Sequence, residues 1–307
     1  MVAAAGPFMT LVPRAALRPL MARSNGQAAR QLIGLAATLL GAGLLVSMAR
    51  GGWLVWPAMF LMGIVWAHLF AAQHECAHGT AFRSERANSV VAWLCGALIL
   101  VPEVHFKYEH TDHHTNTNLV GLDSELIPMP KGWGEYLWYL TGLPYWWSNG
   151  VGLLRRAAGV LTAQERGFIP ATECGKVVWE ARCLVLLYGG AAVAVATGAH
   201  ALLVYWVVPL LLGQPVMRFI RMTEHVGCPN EPDPTCNTRT TRVAWPWRFL
   251  AWNMNFHGEH HLAPLVPFHA LPALSQLVAG RIAQRDGYRG AHREIWAGLR
   301  RAVPLQS

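Results

Sequence analysis

The sequence predicts an all-α membrane protein: four transmembrane helices in two hairpins, with a histidine-rich helical cap on the cytoplasmic side. Three observations carry that prediction. The 307 residues are 53% hydrophobic and only 14% charged, where a soluble domain carries about 25% charge. Four apolar runs approach the roughly 20 residues that cross a hydrocarbon core. Fourteen Trp suit anchoring at membrane–water interfaces.

The elements follow in order. Residues 1–30 read as a basic cytoplasmic tail, with Arg14, Arg18, Arg23 and Arg30 and no acid before Glu75. They hold no apolar core long enough for a signal peptide. Residues 31–280 form one membrane domain. Its first span covers residues 31–49, Arg50, Gly51 and Gly52 make a turn, and residues 53–72 return. Residues 90–101 are apolar but short and stop at Pro102, which suits a re-entrant or interfacial segment. Residues 133–147 hold Trp133, Tyr136, Trp138, Tyr139, Tyr145, Trp146 and Trp147, the pattern of a helix lying in the headgroup layer. Residues 182–198 and 200–219 make the second hairpin, and the turn between them has no Lys or Arg. Residues 281–307 read as a cytoplasmic tail. The positive-inside rule puts both termini and the middle segment in the cytoplasm, giving an integral protein of a bacterial inner membrane. The net charge of +8 then belongs to flanks facing anionic lipid, and nucleic acid is excluded as a partner. The six cysteines make no Cys-x-x-Cys pair and read as reduced thiols. Cys76 reads as a packing residue.

Nine of the 14 histidines fall into four groups: His74 with His78; His110, His113 and His114; His225; and His257, His260 and His261. Residues three or four apart share a helix face. His74 and His78 can therefore hold one metal, and each triple makes a three-pronged face. Nine imidazoles exceed the positions around one ion, so two neighbouring metals are expected. His74 and His225 sit just past the ends of the second and fourth spans, so all four groups meet on one side of the membrane. Bound imidazoles give their second N–H to carboxylates or carbonyls. Glu75, Glu109, Asp112, Asp123, Glu224 and Glu259 are candidates for that role. His200 and His292 lie outside the groups and are expected to tolerate Ala. Imidazole suits zinc, copper, iron and nickel alike, so ligand type leaves the metal open.

Residues 74–78 (HECAH), 110–114 (HTDHH) and 257–261 (HGEHH) resemble the three histidine boxes of the membrane fatty acid desaturase superfamily. The likeness runs from about residue 66 to 274. It implies two non-haem iron ions held by His74, His78, His110, His113, His114, His225, His257, His260 and His261. It implies O2 as co-substrate, a ferredoxin-, rubredoxin- or cytochrome b5-type electron donor as a separate protein, and a fatty acyl substrate as free acid, thioester or lipid. Desaturation is the expected reaction; decarboxylation to a terminal alkene and hydroxylation share these boxes. The acyl-CoA branch places an Asn four residues before the histidine matching His225, and Arg221 stands there instead. Arg218 and Arg221 are candidates to receive an anionic substrate head. Outside this class stand a zinc-dependent membrane lipid hydrolase, which leaves most of the nine histidines idle, and a metal transporter, whose ligands belong near mid-membrane.

Overall fold

The computed structural model describes residues 11–302. Four of its helices are long and apolar enough to cross a membrane: Asn25–Ala49, Val55–Ala77, Cys174–Ala196 and Leu203–His225. Each departs from the boundaries read from hydropathy (31–49, 53–72, 182–198, 200–219), because a helix ends where its backbone bonds end. The first begins at Asn25, where the Ser24 side chain accepts from Gln27 N. The second is interrupted for one residue at His68 and runs on through Gln73, His74 and Glu75. The fourth continues through Arg218 and Arg221 to His225. His74 and His225 therefore lie within the last turns of their helices and not beyond them.

The second helix packs between the first and the fourth. At its crossing with the fourth, a Cβ added to Gly63 would sit 1.9 Å from Pro209 O, and one added to Gly213 would sit 2.1 Å from Gly63 O. Only glycine permits that backbone approach, the usual device for close helices in lipid. The third helix packs chiefly on Leu143–Ala157. Between the third and fourth helices lies an apolar cleft lined by Tyr188, Val195, Leu203, Trp206 and Leu210. The pair consecutive in sequence is thus splayed rather than packed along its length.

The short apolar segment is a broken helix. Glu85–Ile99 and Glu103–Asn116 meet at 99°, with Leu100 in the left-handed region at φ 63°. Such a break strands backbone carbonyls on one side and N–H groups on the other. Other helices satisfy both. Tyr188 Oη donates to Ala97 O, Trp206 Nε1 to Leu98 O, Tyr145 Oη to Ile99 O and Gln73 Nε2 to Val101 O. The Glu180 carboxylate accepts from Glu103 N and Val104 N, each at 2.9 Å. Irregular backbone at membrane depth persists only where protein meets its bonding needs.

The aromatic segment forms two helices, Trp133–Leu140 and Leu143–Ala157, separated at Gly142 with φ 74°. Trp133, Trp138 and Trp147 are exposed as anchors should be, but Tyr136 is buried. The fold is not purely helical: Thr240–Arg242 and Gln284–Asp286 pair as two short parallel strands. The described parts of the terminal segments pack on the body of the chain, while residues 1–10 and 303–307 lie outside the described residues. Val12, Leu17 and Leu20 pack on Leu262, Leu271 and Val278. The helix Gly287–Ala302 buries Ile295 and Leu299 against Tyr136, Met222 and Val226. His292, on the same helix, is fully buried. Its Nε2 donates to Phe219 O at 2.8 Å, its Nδ1 lies 3.1 Å from Tyr136 Oη, and its ring stacks on Phe219. His292 is thus a packed residue of this helix, outside both histidine groups.

Candidate metal centre

The nine histidines converge as two neighbouring groups. His74, His78, His110, His114 and His260 form one; His113, His225, His257 and His261 form the other. Neither triple stays together in one group, and helix geometry gives the reason. A residue at i+4 sits about 40° round the helix from i, whereas i+3 sits about 60° round on the other side. His110 and His114 thus aim together while His113 diverges to the neighbouring group. The second triple divides likewise: His257 and His261 stay together and His260 crosses over. The two boxes are interleaved, and each contributes to both sites.

The donor set fits two cations. His110 Nδ1 faces the Glu125 carboxylate at 2.7 Å and His225 Nδ1 faces Asn237 O at 3.2 Å. These acceptors hold the ring protons on Nδ1 and leave Nε2 as a lone pair. In one group His114 Nε2 lies 3.0 Å from His110 Nε2 and 3.1 Å from His260 Nε2. In the other, His257 Nε2 lies 2.9 Å from His225 Nε2 and 3.1 Å from His261 Nε2. Imidazole nitrogens bound at about 2.1 Å sit about 3 Å apart across a right-angled coordination edge. His74 has no hydrogen-bond partner on either ring nitrogen among the described residues, and His78 Nε2 and His113 Nε2 have none. Burial first, then neighbouring imidazoles, hold His257, His260 and His261 well below the ordinary histidine pKa. They are neutral donors near pH 7, the form a metal requires.

The supporting carboxylates are largely not the ones adjacent in sequence. Asp123 accepts from His113 Nδ1 at 2.8 Å, as expected. Glu75 instead accepts from Thr80 Oγ1 and Phe268 N. Glu259 accepts from Thr240 Oγ1 and Ser275 Oγ. Asp112 accepts from Asn116, and Glu109 lies 3.6 Å from His105, outside both groups. Residues adjacent along a helix point about 100° apart, so an acid beside a ligand in sequence faces elsewhere. Glu224 lies 3.9 Å from His257 Nε2 rather than on its neighbour His225. Glu125 was missed. Its signal was the pair of acids, Asp123 and Glu125, in the turn after the second box. Asp123 Oδ1 accepts Glu125 N and Oδ2 accepts Asn118 N, which folds that turn back under the histidines.

Arg221 ties the groups together. Its guanidinium donates to Glu125 at 2.8 Å and to Glu224 at 2.6 Å, all three side chains being buried or nearly so. Those two carboxylates hold its guanidinium in place beside the imidazoles. Arg218 lies 4.2 Å above the Tyr145 ring. Cys76 belongs to the apolar core and to neither group. A pocket opens beside both groups, lined by His74 and His257 together with Phe70, Met217, Ile220 and Met254.

A family model described as fatty acid desaturase matches residues 51–292. Fatty acid conjugase FAC2 B of Calendula officinalis is 22% identical over 296 residues, covering 83% of this chain and 76% of its own. The sn-2 acyl-lipid omega-3 desaturase (ferredoxin), chloroplastic, of Helianthus annuus is 24% identical over 258 residues, 71% of this chain and 54% of its own. The Delta(12) acyl-lipid conjugase (11E,13E-forming) of Momordica charantia is 34% identical over 96 residues, 30% of this chain and 24% of its own. This chain thus spans from about a quarter to three quarters of the length of these relatives.

Proposed function

The chain belongs to the fatty acid desaturase family, and on that basis we propose that it is an O2-dependent membrane oxidoreductase that desaturates a fatty acyl chain. One observation carries the reading: nine histidines, drawn from all four sequence groups, interleave into two adjacent buried sites. Two iron ions held there would supply the oxidising power to take hydrogen from an unactivated C–H bond. His74, His78, His110, His114 and His260 would hold one ion, and His113, His225, His257 and His261 the other. Asp123 and Glu125 orient His113 and His110, and Arg221 braces Glu125 and Glu224. Phe70, Met217, Ile220 and Met254 would seat an apolar chain against the centre and exclude water.

Electrons come from a separate donor. The ferredoxin named for the Helianthus relative supports that class, and the acyl-lipid in the same name supports a lipid-bound acyl chain. The cap and both termini face the cytoplasm, since Arg14, Arg18, Arg23 and Arg30 precede the first span and only Arg50 stands in the turn on the far side. The deciding experiment is mass spectrometry of lipids from cells that express the chain and are fed isotope-labelled fatty acids. An internal double bond with the carboxyl carbon retained is the expected product. A terminal alkene with loss of CO2, or an oxygen atom from labelled O2 retained in the chain, would replace desaturation by decarboxylation or hydroxylation.

A further inference from the structure

The pocket beside the imidazole groups has a polar wall that neither group uses. His68, Asn255 and Tyr288 line it. His68 is 1% exposed and Asn255 is 6% exposed. His68 Nδ1 lies 2.7 Å from Ile64 O. A carbonyl only accepts, so Nδ1 carries the ring proton and Nε2 is a bare lone pair. Asn255 Nδ2 donates to Thr241 O at 3.0 Å, which fixes the amide and leaves Oδ1 as the free acceptor. His68 Nε2, Asn255 Oδ1 and Tyr288 Oη have no hydrogen-bond partner among the described residues. The first two are acceptors and the third a hydroxyl that can donate or accept; buried polar atoms without partners are rare in folded proteins.

The cations of the same pocket are already engaged. Arg221 is held by Glu125 and Glu224, and Arg239 by Val226 O, Cys228 Sγ and Glu294. A carboxylate entering here would meet the lone pairs of His68 and Asn255 and the Glu224 carboxylate, with the Tyr288 hydroxyl as its one uncommitted donor among these residues. A neutral group with an O–H or N–H to donate would meet acceptors that lack only a proton. The apolar remainder of the wall suits an aliphatic chain attached to that group.

We propose that His68 Nε2 and Asn255 Oδ1, with Tyr288 beside them, form a subsite for a neutral hydrogen-bond donor borne by the substrate. The substrate class is then an aliphatic chain with a hydroxyl or amide N–H near the carbon that reacts, an inference that rests on the acyl-chain reading above. The subsite chooses which stretch of chain lies against His74 and His257, because the donor anchors there.

The test is equilibrium binding to the metal-loaded full chain in lipid nanodiscs, using probes that differ only in the donor. Dodecan-1-ol is compared with dodecyl methyl ether, and N-dodecylacetamide with its N-methyl derivative. The donor member of at least one pair should bind about tenfold more tightly, and the pair with the larger ratio identifies hydroxyl or amide. His68→Phe and Asn255→Leu should each reduce that ratio towards one while leaving binding of the methylated probe unchanged. Dodecanoate should bind no better than the methyl ether. Equal affinities within both pairs, or a ratio that survives in His68→Phe, would overturn the subsite and leave chain binding intact. Failure of every aliphatic probe would overturn the acyl-chain reading with it. The wild-type pairs decide the matter even if a variant fails to fold.

Discussion

Arg221 and His260 act on the centre in different ways, and single substitutions separate them. His260 offers a ring nitrogen directly to its group. His260→Ala should leave that site with four imidazoles and His113→Ala should leave the other with three. Each variant should lose bound iron in elemental analysis of purified protein, from two ions per chain towards one, and should lose turnover. Two ions retained with full turnover in His260→Ala would remove it from the centre. Arg221 offers no lone pair and works through two carboxylates. Arg221→Gln strands Glu125 and Glu224 in a buried site, a loss of about 3–5 kcal/mol. It should appear as a lower unfolding temperature together with weaker iron retention, and an anionic acyl substrate should bind as before. A changed substrate affinity with stability and iron intact would return Arg221 to a substrate-binding role.

His292 adds a pH dependence. Burial, opposed by the bond to Phe219 O, lowers its pKa from 6.5 to about 4. Below pH 6.5 the unfolded chain takes up a proton that the folded chain refuses, so stability falls as pH drops from 6.5 to 4. The slope from this group is at most about 1.4 kcal/mol per pH unit. Above pH 6.5 it contributes no slope. His292→Phe should flatten that part of the unfolding-temperature profile measured in detergent. His292→Ala should cost about 2–3 kcal/mol through the lost stacking and hydrogen bonds. An unchanged acid limb in His292→Phe would discharge this histidine from the effect.

At the scale of elements, the broken helix is the part most dependent on others. Glu180 on the third span caps the N-terminus of Glu103–Asn116, the helix that carries His110, His113 and His114. A carboxyl group accepting two backbone N–H bonds is worth about 1–3 kcal/mol. Glu180→Ala should destabilise by that order. Hydrogen exchange should show the amides of residues 103–106 exchanging faster while those of the second span stay protected. Uniform loosening of both regions would mean that Glu180 supports the whole bundle and not this helix start. The apolar run 90–101 was legible as too short to span, and Pro102 as its stop. Its four carbonyl partners were not legible, because Gln73, Tyr145, Tyr188 and Trp206 are separated from one another along the chain by as much as the length of several helices.

For the molecule as a whole, the proposed orientation rests on charge. A reporter fused after residue 307 and one fused before residue 1 should both read as cytoplasmic. Opposite locations would mean an odd number of crossings and would break the placement of both termini on the histidine side. The broken helix pair is the element whose crossing would change that count.

What the sequence determined by itself was everything that spacing and composition encode locally. Four apolar runs predicted membrane-length helices, and nine histidines at helical spacings predicted two neighbouring groups able to hold metals. Those signals survive because hydropathy and i, i+4 geometry need no knowledge of the rest of the chain. Only the tertiary structure decided which histidine belongs to which site, since the 100° advance per residue splits each triple and the packing of the boxes chooses the partners. It also decided which carboxylates serve the imidazoles. Glu125 and Asp123 reach them from a returning turn, whereas Glu75, Asp112 and Glu259, beside ligands in sequence, point away. Side chains adjacent along a helix diverge, and side chains that share a site arrive from different helices; that assignment is made by packing, to which sequence order is blind.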